Sequence, residues 1–110
     1  MGWHIEQERP RLAMVTIRCQ AKRGKSPVLR EVAEAFAGEA RSGEGNLSAT
    51  CYPVARSTDC QMVLTWRSRA DWERFRQSAG AENLLGGQAT TLLAREPKVT
   101  VWEAEEENDR

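Results

Sequence analysis

Gln61-Met62-Val63-Leu64-Thr65-Trp66-Arg67-Ser68-Arg69-Ala70-Asp71-Trp72 changes its period halfway. Met62, Leu64 and Trp66 alternate with Gln61, Val63, Thr65 and Arg67, the period of two that marks a strand. Ser68 then stands three residues before Asp71, the spacing of a capping box. Trp72, Phe75 and Ala79 follow as the apolar stripe of a helix. A strand running straight into a helix is the hinge around which the remaining chain can be ordered.

Upstream, Leu29, Val32, Ala33, Phe36, Ala37 and Ala40 form one helical stripe. Ser26 is expected to cap that helix, with Pro27 at its first position and Gly43 and Gly45 beyond its end. Residues 47–54 read as a strand that Pro53 confines to an edge or an end. Residues 12–20 alternate as another, with Ala13, Val15, Ile17 and Cys19 on one face. Residues 81–93 read as a helical segment broken at Gly86-Gly87, and residues 98–102 as a last strand. The order βαββαβ predicts an α+β, ferredoxin-like sandwich, a four-stranded antiparallel sheet with helices on one face.

With 110 residues the chain has room for one core. Residues 12–103 are expected to form it, between an N-terminal arm, 1–11, and an acidic tail, 104–110. In this topology the tail leaves the sheet near Arg9 and Arg11, so the two charged ends are expected to pair with each other. Sixteen basic residues balance sixteen acidic ones, which speaks against nucleic-acid binding. No apolar run is long enough for a membrane span, and the start does not read as a secretory signal. A cytoplasmic protein is expected, with Cys19, Cys51 and Cys60 as free thiols. Those cysteines and the single His4 do not have the paired spacing of a metal site.

Helices on one side leave the other side of the sheet uncovered. Whichever way the sheet faces, apolar residues remain there: Val63 or Met62, with Leu12 and Met14 or Val15 and Ile17. Such a patch calls for a second layer, and a second copy of the same sheet supplies it, so a homodimer is expected.

Gly45-Asn46-Leu47-Ser48-Ala49-Thr50, Val63-Leu64-Thr65-Trp66-Arg67-Ser68, Asp71-Trp72 and Ser78 together resemble the antibiotic biosynthesis monooxygenase (ABM) domains. The resemblance spans about residues 12–103 and implies a dimeric α/β barrel. It implies, further, a monooxygenase working without a cofactor on an aromatic, polyketide-like small molecule and O₂. Several family positions differ here: Met62, Leu64, Trp72 and Phe75 stand where family members carry asparagine, glutamate, tyrosine and histidine. Trp66 is retained. The alternative is therefore a non-catalytic, small-molecule-binding or accessory homodimer of the same fold. The haem-degrading branch's tryptophan and histidine are replaced by Phe75 and, near the second position, Leu85.

Trp66 and Trp72 are the candidate catalytic residues, walling an aromatic pocket between sheet and helix. Met62, Leu64 and Phe75 are its candidate apolar wall, and Tyr52 and Arg67 its candidate polar contacts. Thr65, Gln61 and Arg76 are further polar candidates. Large aromatics at strand and helix spacing are usually core, and the same side chains also fit the core beneath the helices. A ligand-sized cavity between the second helix and the sheet distinguishes the two readings.

Overall fold

A computed structural model describes residues 11–104. The alternating segment forms β1 (Ala13–Gln20), whose odd-numbered side chains are buried and whose even-numbered ones turn outward. Helix α1 (Ser26–Arg41) buries Leu29, Ala33, Phe36, Ala37 and Ala40. Strands β2 (Asn46–Pro53) and β3 (Asp59–Trp66) follow as a hairpin. Helix α2 (Arg69–Arg76), helix α3 (Ala79–Leu85) and a 3₁₀ turn (Gln88–Leu92) lead to β4 (Lys98–Glu103).

The sheet order is β2-β3-β1-β4, antiparallel throughout, as the ferredoxin-like reading requires. Met62, Leu64 and Trp66 of β3 pack with Val15, Ile17 and Cys19 of β1 under the helices. Burying each large apolar side chain contributes about 1.5–3 kcal/mol, so this layer supplies most of what holds the sheet to the helices. Pro53 ends β2 at the sheet edge, where no ladder donor is missed.

Three local expectations are corrected. Lys25, not Ser26, is the residue before α1, and no side chain caps that end. Pro27 lies in the first turn and brings no N–H that needs an acceptor. The stripe of α2 stops at Phe75: the helix ends at Arg76, the Ser78 hydroxyl donates to the Phe75 carbonyl at 2.6 Å, and α3 begins at Ala79. Ala79 is therefore exposed, and Ala81 and Leu84 are the buried positions of α3. The segment expected over 81–93 begins two residues earlier; it does break at Gly86-Gly87, and its second half is 3₁₀.

The uncovered side of the sheet carries Met14 beside Trp102, with Val63 and Thr65 on the adjoining strand. Met14, Trp102 and the neighbouring Leu12 are exposed. The other end of this face is polar, with Arg18, Asp59, Gln61 and Lys98, and Arg18 pairs with Asp59 at 2.9 Å. The expected pairing of Arg9 and Arg11 with the acidic tail rests on residues outside those described, Arg11 excepted.

Candidate functional site

The end of β3 and the start of α2 bring four aromatic rings together. Trp66 lies 6.2 Å from Trp72 and 5.2 Å from Phe75, and Phe36 of α1 meets Phe75 edge-on at 5.4 Å. Trp66 and Trp72 are fully buried. Room for the Trp66 ring comes from Gly43, where a Cβ would stand 3.2 Å from the indole's Cη2. The Trp66 indole Nε1–H finds no acceptor among the described residues. A buried donor left unpaired costs about 1–3 kcal/mol, and this one is closed off from solvent.

A second group fixes this corner. Ser68 accepts from the Asp71 backbone N–H at 3.2 Å, and its hydroxyl donates to the Asp71 carboxylate at 3.1 Å. Arg74 donates to the same carboxylate at 2.9 Å, and Arg67 approaches it at 3.6 Å. Gly45 sits against Asp71 with φ +85°, in the left-handed region, and its carbonyl accepts from the Arg67 backbone N–H. One carboxylate thus ties the β2 entrance to α2. Burial pushes the Asp71 carboxyl up, but hydrogen bonds from Arg74 and Ser68 and the Arg67 and Arg74 charges outweigh it and hold it below the ordinary value.

A lowered folded-state pKa stabilises at pH above the unfolded value and is lost as pH falls through the folded one. Asp71→Asn is accordingly expected to cost about 1–3 kcal/mol at neutral pH. The gap to the parent should close as pH drops below about 4. Urea unfolding of both proteins across pH 3–7 reads this directly; a gap independent of pH would show that the charge of Asp71 contributes nothing.

The structure brings five of the seven sequence-derived site residues together: Trp66, Trp72, Phe75, Met62 and Leu64 all belong to the buried layer. Arg67 is exposed and turned to Asp71. Tyr52 is exposed on β2 opposite Gln61, away from the buried face that carries Met62 and Leu64. A recess beside Phe75, about 190 Å³, is lined by Gly43, Glu44, Asp71, Arg74, Phe75 and Ser78.

A ligand-sized cavity of about 550 Å³ opens one helical turn further along α2. Arg76 lines it and stands four residues after Trp72, on the same side of the helix. Leu85, Gly86, Thr90, Leu93 and Val99 supply walls from α3, the 3₁₀ turn and β4, and Arg95, Glu96 and Pro97 the rim before β4. Of these, only Arg76 was legible as a polar candidate. The others are distant in sequence and meet only because the broken helical segment folds back on the edge strand, which periodicity does not reveal.

The three cysteines converge elsewhere. Cys19 and Cys60 are direct register partners, and Cys51 lies diagonal to Cys60 on the same face. All three are free thiols. Hydrogen bonding with Cys60 pushes Cys19 far up, with burial adding to it, while the bond from Cys19 lowers Cys60. Burial raises Cys51 to about 11. Among the described residues no three His, Cys, Asp or Glu side chains are placed to hold a metal ion.

No family model matches the sequence, and no curated protein matches it. Solved structures do. The Mycobacterium tuberculosis protein Rv0793 superposes with a TM-score of 0.78 at 24% identity, over 89% of this chain and 99% of that one. A candidate antibiotic biosynthesis monooxygenase from Nitrosomonas europaea gives 0.77 at 12% identity, over 90% and 95%. A further antibiotic biosynthesis monooxygenase gives 0.74 at 10% identity, over 86% and 99%. At these identities the likeness is one of fold, and it extends over nearly the full length of each partner. The βαββαβ chain with its β2-β3-β1-β4 sheet thus has the fold of the antibiotic biosynthesis monooxygenases.

Proposed function

We propose that the protein is a cofactor-independent monooxygenase of the ABM type, acting on an aromatic, polyketide-like phenol. The observation that carries this reading is the ligand-sized cavity between the end of α2 and the sheet, one turn from Trp72. Its mixture of apolar walls and a few polar groups suits a ring system held in one orientation. An anthrone-like substrate supplies the reducing power itself. Its enolate passes an electron to O₂; the resulting carbon radical and superoxide join as a C–O bond. The hydroperoxide then loses water. In sum, anthrone and O₂ give anthraquinone and water.

The chain's contribution is to bind the ring, keep water away and favour the anion. In this reading Trp66 and Trp72 form the aromatic wall, backed by Met62, Leu64 and Phe75; all five stand in the buried layer behind the cavity, whose lining contains none of them, and the Trp66 Nε1–H is a donor left unpaired there among the described residues. Arg67 holds Asp71 and thereby the start of α2. Tyr52 would contact substrate only through the second subunit of a homodimer formed across the uncovered sheet face, whose exposed Met14 and Trp102 favour such a partner. The reading places the protein in the cytoplasm, where its thiols stay reduced.

The accessory, non-catalytic homodimer is the second reading. It is favoured by one observation: Met62, Leu64 and Phe75 bring no proton acceptor to the buried layer. Trp66→Phe separates the two, since it keeps an aromatic ring and removes the N–H. The expected result is anthrone-dependent O₂ uptake reduced about 10-fold or more, the scale of losing one donor to a developing anion, with binding retained. Uptake equal to the parent's in a folded variant would remove Trp66 from the site.

A further inference from the structure

We propose that the cavity between α2, α3 and β4 selects a planar aromatic anion, an ionised phenol or an aromatic carboxylate, and that Arg76 and Arg95 are its anchors. The inference rests on the ligand-binding half of the reading above and is independent of whether oxygen reacts.

Two guanidinium groups and one carboxylate, Glu96, are the charged side chains of the lining. Arg76 is tethered along its own helix to Glu73 at 3.3 Å, which holds it at the end of α2, where α2 gives way to the turn at Gln77. Arg95 forms no ion pair among the described residues. It sits in the segment between the 3₁₀ turn and β4, held on one side by the Ala94 N–H donating to the Gln20 carbonyl at 2.8 Å and followed on the other by Pro97. A cation beside the cavity, on a backbone held at Ala94 and without an internal partner among the described residues, is free to answer an anion from outside. Arginine's planar fork matches a carboxylate and stacks on aromatic faces.

The apolar part of the same lining fixes the rest of the ligand. Leu85, Leu93, Pro97 and Val99 face the cavity beside the two cations. A small inorganic anion would leave these walls wet, and a neutral hydrocarbon would leave Arg95 unanswered. A ligand with a flat apolar body and one anionic edge satisfies both. About 550 Å³ is within the range of small-molecule sites and accepts two to three fused rings.

The test is binding of 2-naphthoate and its neutral isostere 2-naphthamide, followed by quenching of tryptophan fluorescence without oxygen. Charge-assisted hydrogen bonds contribute about 1.5–3 kcal/mol, so 2-naphthoate is expected to bind about 10-fold or more tightly than the amide. Arg95→Gln should remove most of that preference and Arg76→Gln with Arg95→Gln all of it, so that the double variant binds the two probes equally. Both arginines are exposed, so the variants are expected to keep the parent's unfolding temperature. Equal binding of the two probes, no binding of either, or a preference that survives the double variant would overturn the proposal. Failure to consume O₂ in a protein that binds 2-naphthoate as expected would count against the oxygenase alone.

Discussion

Trp66→Ala is expected to lower the free energy of unfolding by about 3–5 kcal/mol. Trp66 is fully buried and touches rings from α2, while α1 adds Phe36 behind Phe75. Its removal leaves a void where β3, α1 and α2 meet, and the surrounding rings cannot close over it without moving a helix. Domains of this size have about 5–15 kcal/mol in total, so the variant should unfold at markedly lower urea and sit near the limit of folding. Recovery of one unpaired N–H offsets only part of the cost. A loss under about 1 kcal/mol would mean that the aromatic cluster is not the core contact described.

Gly45→Ala carries the second large effect, for a different reason. Gly45 has φ +85°, and a Cβ there would collide with the Asp71 carboxylate. Relief requires Asp71 to leave Ser68 and Arg74, or the turn to leave the left-handed region. The strain and the lost hydrogen bonds together amount to about 2–4 kcal/mol. Combining the change with Asp71→Ala should recover part of the loss, because the collision is removed. A double variant less stable than the sum of the two singles would contradict that account of the corner.

The parts of the fold set by neighbours in sequence were legible. β1 and β3 alternate cleanly because one face of each is buried and the other is not. Ser68 caps α2 as its spacing to Asp71 indicates. What periodicity could not resolve was the stop at Arg76: Phe75 and Ala79 are four residues apart and look like one stripe, yet the Ser78 hydroxyl takes the Phe75 carbonyl and a new helix begins. The same turn explains the candidate site. Trp66, Trp72 and Phe75 could be brought together from spacing alone, since strand end and helix start are adjacent in the chain. The cavity could not, because Arg76, Leu85, Arg95 and Val99 come from four separate segments joined only by the fold-back after α2. Tyr52 illustrates the opposite difficulty: alternation assigns it a face of β2, and pairing with Gln61 shows that face to be the uncovered one.

The oxygenase reading is tested most directly by oxygen stoichiometry. Purified protein, treated with a chelator, is supplied with anthrone in an oxygen electrode, and anthraquinone is quantified in the same sample. The account predicts O₂ consumption above the protein-free rate, one O₂ for each anthraquinone, and its loss in Trp66→Phe. Consumption no faster than in buffer, with anthrone bound, would contradict it and leave the accessory dimer as the function of this fold.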